Sequence, residues 1–397
     1  MSAPRLEVAE VFKSCQEEYL REHAVSREQR KALSDILACR TAALGGHLLR
    51  CDECSYQEIA YNSCRNRHCS KCQAARQADW CFEQAQNLLD VPYCHVVFTL
   101  PEGLSPLALQ NQRLVYQLLF RAASQTLLTI ARDERHLGAR IGFVAVLHTW
   151  GQTLTHHPHL HCLVPAGGLA PDRDSWISCK KGFFLPVRVL SALYQGKFLS
   201  FLRQARRDQA LEFHGKLTEL AREGSWRRFL EDLKAANWVV YAKPPFGSPE
   251  QVVKYLSRYT HRVAIHNARL ISLRDGQVSF SYKDYRQGDK RLTMTLSATE
   301  FTRRFLLHVL PKGFVRIRHY GFLANRVRQE QLTTCRKLLG ESPLKALVAE
   351  SQAEDQTSPH PMACPACNQG RLSPIRTLPP WLLLIEPRMN SPDKAAA

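Results

Sequence analysis

The chain has 397 residues, with 54 Lys+Arg against 36 Asp+Glu, a formal net charge of +18 and a sequence pI of about 9.5. No run approaches the roughly 20 apolar residues that a bilayer-spanning helix needs, and the opening residues, Met-Ser-Ala-Pro-Arg-Leu-Glu-Val, lack a signal-peptide core. The expectation is a cytoplasmic protein, which argues against reading its 14 Cys as a disulfide scaffold.

Residues 7–44 carry helical spacing, with Val8, Val11 and Phe12 and then Leu33, Ile36 and Leu37 recurring between charges. A cysteine-rich segment over 47–72 precedes a helix predicted over 74–89, which Val91-Pro92 ends. Residues 93–100 read as a strand closed by Pro101, and 106–132 as a leucine-rich helix. Two strands follow, 141–150 and 159–164, closed by Pro165 and Gly167-Gly168. Helical patterns resume over 187–223 and 226–236, and 238–241 is a short strand stopped by Pro244-Pro245. Ser248-Pro249-Glu250 opens another helix, with Ser248 as its cap and Pro249 in the first turn. Residues 262–265, 269–273 and 277–283 resemble antiparallel strands, the last two joined at Asp275-Gly276. A helix is predicted over 298–309. Beyond about 345, weak periodicity and a Pro, Ser and Gln bias predict a partly disordered tail.

Charge is unevenly spread. Residues 251–330 hold sixteen Lys/Arg and five Asp/Glu, a local surplus of eleven. Such clustering marks a nucleic-acid surface. A membrane-surface role fits less well, because these cations do not line one amphipathic helix.

Cys51-Asp-Glu-Cys54 and Cys69-Ser-Lys-Cys72, fourteen residues apart, have the spacing of a structural zinc site, each pair forming a tight knuckle. Cys64 and His68 lie inside the same loop and His47 lies four residues before Cys51. One of these replaces a named cysteine, or a second ion binds. The module stands beside Arg65, Arg67, Lys71 and Arg76, which could grip DNA; the plainer alternative is a folding clip. Cys364-Pro-Ala-Cys367 is half a knuckle, either a degenerate ribbon or a pair whose partners lie elsewhere.

Residues 156–161 read His-His-Pro-His-Leu-His. On a strand, side chains alternate faces, so His159 and His161 share a side while Leu160 points into the core. Two imidazoles with open positions suit a divalent ion that also holds substrate oxygens. A third ligand is needed: Gln152 is the nominee and His95 and His157 are alternatives, with His148 and His156 left as ordinary polar residues. Tyr255 and Tyr259, four apart on the predicted helix, fall on one face a turn apart. They could be core aromatics, since Val252 and Leu256 share part of that face. Lys254, Arg258, His261 and Arg262 on the same helix instead suit a phosphate path. A metal beside paired phenols on a basic protein suggests phosphodiester transesterification. There is no G-x-x-x-x-G-K-[ST] and no G-x-S-x-G, so neither a built-in ATP-driven helicase nor a serine-hydrolase elbow is expected.

Five stretches carry a resemblance: Tyr61-Asn-Ser-Cys-Arg-Asn-Arg-His-Cys-Ser-Lys-Cys-Gln73, His95-Val-Val-Phe-Thr-Leu-Pro101, His157-Pro-His-Leu-His161, Tyr255-Leu-Ser-Arg-Tyr-Thr-His-Arg-Val-Ala-Ile265 and Gly313-Phe-Val-Arg-Ile-Arg-His-Tyr-Gly321. In these the chain resembles the transposases of the insertion-sequence ninety-one family, two-tyrosine members of the HUH endonucleases (U being any hydrophobic residue). The resemblance covers roughly residues 45 to 330. It implies an α+β fold: an HUH-type antiparallel sheet flanked by helices, preceded by a small helical zinc-binding domain. It divides the chain into a zinc-binding domain over 1–90, a catalytic domain over 91–330 and a tail over 331–397. The implied activity is metal-dependent single-strand DNA cleavage and rejoining with Mg²⁺ or Mn²⁺ through a 5′-phosphotyrosine, in rolling-circle transposition, with structural Zn²⁺. The implied partners are single-stranded DNA at element ends and target, with host replication or helicase proteins supplying the strand, at the nucleoid. Alternatives are a rolling-circle replication initiator, which shares the chemistry, and a non-catalytic zinc-dependent DNA-binding protein.

Overall fold

A computed structural model describes residues 6–73, 86–180, 182, 184–246, 252, 263–284, 288, 290–340 and 362–385. In chain order its elements are α1 (Val8–Glu22), α2 (Arg27–Ala38), β1 (Gly46–Cys51), β2 (Gln57–Tyr61), β3 (Tyr93–Thr99), α3 (Ser105–Gln110), α4 (Gln112–Arg132), β4 (Gly142–Trp150), β5 (His156–Pro165), β6 (Gly167–Leu169) and β7 (Trp176–Ser178). Then come α5 (Val187–Arg207), α6 (Glu223–Ala235), β8 (Val240–Phe246), β9 (Leu270–Arg274), β10 (Gln277–Asp284), β11 (Lys290–Ser297), α7 (Ala298–Leu306), β12 (Ile317–Gly321), α8 (Arg328–Leu339), β13 (Met362–Ala363), β14 (Arg371–Leu378) and α9 (Pro380–Ile385).

Five strands form an antiparallel sheet in the order β12-β4-β5-β3-β8. Its two faces follow from the alternation of side chains along each strand. On one face Leu160, Cys162 and Val164 of β5, Ala145 and Leu147 of β4, and Cys94, Val96 and Phe98 of β3 are buried in the largest core. Helices α3 to α6 cover it, with Tyr116, Leu119 and Phe120 of α4 and Tyr194 and Phe198 of α5 fully buried. Helix α4 is apolar on most sides because it lies between the sheet and α5. The opposite face is polar at one end and apolar at the other. At the apolar end Tyr93, Val144, Val146 and Leu163 pack with Leu323, Leu332 and Val252.

The strand predicted over 238–241 continues through Pro244-Pro245 as β8. It lies at the edge of the sheet, paired only with β3, and the ladder is irregular opposite the prolines, between Tyr93 and His95, so the strand tolerates their missing amide donors. Residues 263–265, read as part of a strand, instead lead into a 3₁₀ turn at Asn267–Arg269. The hairpin at Asp275-Gly276 forms as expected, both residues having positive φ, 48° and 70°. It belongs to a three-stranded sheet whose third member, β11, was not named in the sequence reading although Leu292, Met294 and Leu296 alternate there with polar residues. The helix predicted over 74–89 falls outside the described residues up to 85. So does most of the helix opened by Ser248-Pro249, including Lys254, Tyr255, Arg258, Tyr259 and Arg262.

The periodic stretch at 7–44 is two helices, split at 23–26 where Ser26 caps α2. The Ser26 hydroxyl accepts from the Gln29 amide at 3.2 Å, and the Gln29 side chain accepts from the Ser26 amide at 2.9 Å. Both helices share one core with α7, β10, Leu154 and the buried Ala264 and Ile265, centred on Phe12 edge-on to Phe305 at 5.1 Å. Part of the chain assigned to a disordered tail is built into this end of the molecule: β14 pairs antiparallel with β1 in a sheet ordered β13-β14-β1-β2. Among the described residues, no helix is long and apolar enough to cross a membrane.

Gly321 closes the β12–β4 ladder opposite Gly142. Its φ is +61°, and a Cβ there would overlap the Ile141 carbonyl oxygen. Gly321→Ala is expected to lower unfolding free energy by on the order of 3 kcal/mol, combining left-handed strain with displacement of β12. Denaturant unfolding of the variant and the parent checks this.

Candidate active site and zinc module

Pairing register assembles the histidines. β4 and β5 run antiparallel with His148 opposite His159 and Val146 opposite His161, so both β5 imidazoles and His148 stand on the face away from the main core. One nitrogen from each of His148, His159 and His161 lies within 4.8 Å of the others. Their ring centroids are 4.5 Å (148 to 161), 4.8 Å (159 to 161) and 5.5 Å (148 to 159) apart. His148 is buried and stacks on Trp150 at 4.8 Å, which fixes its ring plane. Three convergent imidazoles with two of them half-exposed fit a divalent ion that keeps open positions. The third imidazole is therefore His148, set aside in the sequence reading, whereas Gln152 sits in the β4–β5 turn, its carbonyl accepting from Arg269 at 2.6 Å.

Neighbouring groups hold two of the rings through Nδ1. His159 Nδ1 donates to the His157 carbonyl at 2.6 Å. His161 Nδ1 and His95 Nε2 share a hydrogen bond of 2.8 Å. His95, an alternative third ligand from sequence, thus orients His161 from β3. Burial, with smaller contributions from Lys243 and His159, lowers the His95 pKa to about 3, so it stays neutral. His156 lies on the other face, held by Ser105 Oγ at 2.6 Å and Tyr116 Oη at 2.8 Å.

The cysteines do not group as expected. Cys51 and Cys54 stand apart from Cys69 and Cys72, because each C-x₂-C pair finds its partners elsewhere in the fold. Cys69 and Cys72 converge with Cys39, from the end of α2, and with Cys64. Sulfur separations are 3.5 Å (39 to 72), 3.6 Å (64 to 72) and 3.6 Å (39 to 69). A tetrahedron with Zn–S bonds of about 2.3 Å has edges of about 3.8 Å, so this set fits a structural Zn²⁺. Amides of Cys64 and Asn66 approach the sulfurs of Cys39 and Cys64 at 3.5 Å, stabilising thiolate charge. His68 is no member; its Nε2 accepts from the Leu310 amide at 3.4 Å. Cys51 and Cys54 meet Cys364 and Cys367 instead.

A family model described as "Putative transposase" matches residues 142–331, and one described as "Transposase zinc-binding domain" matches residues 11–100. A chain of Sinorhizobium fredii named "Putative transposase y4qJ" is 53% identical over 378 residues, covering 93% of this chain and 94% of the relative. The "Transposase for insertion sequence element IS801" of Pseudomonas savastanoi pv. phaseolicola is 30% identical over 343 residues, covering 85% and 81%. The chain belongs to the insertion-sequence ninety-one family of transposases. No solved structure matches it. The substrate of a transposase is DNA, and the matched zinc-binding domain contains Cys39, Cys64, Cys69 and Cys72.

Two arginines of this transposase read as DNA contacts separate in the structure. Arg65 is exposed at positive φ, 55°, on the zinc loop. Arg67 instead donates to three carbonyls, of Phe314 at 2.6 Å, Pro311 at 2.8 Å and Leu310 at 3.3 Å. Its guanidinium is engaged in fastening the zinc loop to the segment before β12. Arg67→Met should therefore lower stability by about 3 kcal/mol, as loss of charge-assisted hydrogen bonds that leave carbonyls unpaired. DNA affinity of the folded variant should change less than about threefold; thermal unfolding and a DNA titration check the two halves.

Proposed function

We propose that this transposase cleaves and rejoins single-stranded DNA by transesterification, with His148, His159 and His161 holding Mg²⁺ or Mn²⁺ and Tyr255 and Tyr259 as nucleophiles. The observation that carries this reading is the path of the chain on either side of the tyrosines. β8 ends beside Tyr93, at the end of the sheet remote from the histidines. Val252 is buried with Val144, Val146 and Leu163 on the histidine face. Ala264 and Ile265 are buried with Leu154 and Trp150, at the opposite end. From 252 to 264 is twelve residues, a helical length of about 18 Å. From Val144 to Trp150 along β4 is six residues, about 20 Å. The sequence-read helix therefore matches the distance past His161, His148 and His159. Residues 255 and 259, at i+3 and i+7 from Val252, share its side.

When bound, the divalent ion polarises the scissile phosphate and orients its oxygens. His95 and the His157 carbonyl hold the two β5 imidazoles in position. A tyrosine oxygen attacks phosphorus as the P–O3′ bond breaks, leaving a 5′-phosphotyrosine and a free 3′-OH. Water takes no part, so a second 3′-OH reverses the step, and the second tyrosine permits another cleavage before the first link resolves. Lys254, Arg258, Arg262 and Arg65 supply cations for the DNA path. A duplex hinders access to the phosphate, so strand supply falls to host replication or helicase proteins at the nucleoid, in the cytoplasm. The relatives named as transposases favour this over a replication initiator.

Labelled single-stranded element ends incubated with protein and Mg²⁺ are expected to give covalent adducts that vanish in Tyr255→Phe/Tyr259→Phe. Adducts surviving in that double variant exclude these nucleophiles, and binding without nicking by the parent protein supports a non-catalytic DNA-binding protein.

The ligand set has its own test. His148→Ala should abolish metal-dependent cleavage while DNA affinity stays within about threefold, and His95→Ala should weaken Mn²⁺ binding about 10- to 100-fold. Gln152→Ala should retain cleavage; if it, and not His148→Ala, loses activity, the third ligand is Gln152.

A further inference from the structure

Cys51 and Cys54 lie on a turn between β1 and β2, and Cys364 and Cys367 on a turn between β13 and β14. The two turns come from opposite ends of the chain, Cys54 and Cys364 being 310 positions apart. Their four sulfurs lie within 4.8 Å of one another. The cross-pair separations are 3.8 Å for Cys51 to Cys367 and 3.7 Å for Cys54 to Cys364, the edge length of a zinc tetrathiolate. Backbone amides point at the sulfurs as metal knuckles require: Glu53 to Cys51 at 3.4 Å and Gly370 to Cys367 at 3.3 Å.

The two knuckles also fit each other. The Asp52 amide donates to the Arg371 carbonyl at 3.1 Å, and Asp52 Oδ1 accepts from the Arg371 amide at 2.6 Å. Gly370 lies so close that a Cβ would overlap Cys51 Sγ and come within 2.7 Å of Asp52 Oδ1. Leu49 and Leu372 bury beneath them as a satellite core of this end. Two hairpin knuckles packed face to face, without a disulfide, constitute a zinc ribbon made from two chain ends.

We infer that this transposase binds a second structural Zn²⁺ through Cys51, Cys54, Cys364 and Cys367, and that this ion pins the C-terminal segment to the N-terminal module. The matched zinc-binding domain ends at residue 100 and holds only half of these ligands. The other half, Cys364 and Cys367, lies far beyond it in the chain. Binding displaces the thiol protons and closes a loop of most of the chain, so metal affinity at this site is coupled to docking of β14 on β1.

Native mass spectrometry and metal analysis of the full-length protein are expected to give two zinc ions per chain. Cys364→Ser/Cys367→Ser and Cys51→Ser/Cys54→Ser should each give one, as should Cys39→Ser/Cys64→Ser through loss of the other ion. Differential alkylation of the unsubstituted protein removes dependence on variants that fail to fold. Cys364 and Cys367 should resist iodoacetamide until a chelator is added and then react at least tenfold faster. One ion per parent chain, prompt alkylation of Cys364 and Cys367, or a disulfide among the four cysteines overturns the inference. Because these readouts involve no DNA, their failure leaves the cleavage reading untouched, and the reverse holds too.

Discussion

Leu160, Cys162 and Val164 are fully buried against α3 to α5, and that burial determines what the other side of β5 presents. Strand side chains alternate with a period of two, so a one-residue slip would carry all three into the polar face. Each would lose about 1.5–3 kcal/mol of burial. His159 and His161 would in turn enter an apolar core with unpaired nitrogens, at a further cost of about 1–3 kcal/mol each. The register that brings His148 opposite His159 is thus held by leucine, cysteine and valine packing rather than by any attraction among the histidines. The convergence of the three imidazoles is a consequence of a core on the reverse of the same strand.

That core also explains why the site is rigid before anything binds. His148 has Trp150 against one ring face, His161 has the His95 hydrogen bond, and His159 has the His157 carbonyl. Each imidazole is constrained by a group on its own or an adjacent strand, so a bound ion would need little reorganisation. Burial keeps His95 neutral, so its Nε2 can accept the Nδ1–H that His161 must carry to ligate an ion through Nε2.

What could be read from the sequence was local. The alternation at 159–161, the Asp-Gly hairpin and the leucine-rich helix at 112–132 each depend on neighbours within one element. That His148 joins His159 and His161 follows from cross-strand register, which one strand cannot reveal; the faint signal was that it lies two residues from Trp150 on a mostly apolar strand. The zinc pairs failed in the same way. C-x₂-C spacing specifies a knuckle, and nothing local specifies which knuckle it faces; Cys39 lies at the end of a helix with no C-x₂-C partner of its own. Arg67 was assigned by charge alone, whereas its guanidinium donates to carbonyls 243, 244 and 247 positions along the chain. The prolines at 244–245 marked a strand stop only if that strand were central, and edge position is a property of the whole sheet.

The zinc module packs against the residues that follow the tyrosine-bearing stretch. Cys69 and Cys72 are buried in the same cluster as Ala264 and Ile265, which immediately follow the tyrosine-bearing stretch. The near end of that stretch is held differently, by Val252 packed on the sheet itself. The described residues on either side of the tyrosine-bearing stretch are thus held by different cores, Val252 on the histidine face and Ala264 and Ile265 in the cluster that contains two zinc-module thiols. If Tyr255 and Tyr259 act as proposed, loosening the tetrathiolate would disturb the packing that immediately follows them, because a packed core has few voids to absorb displacement.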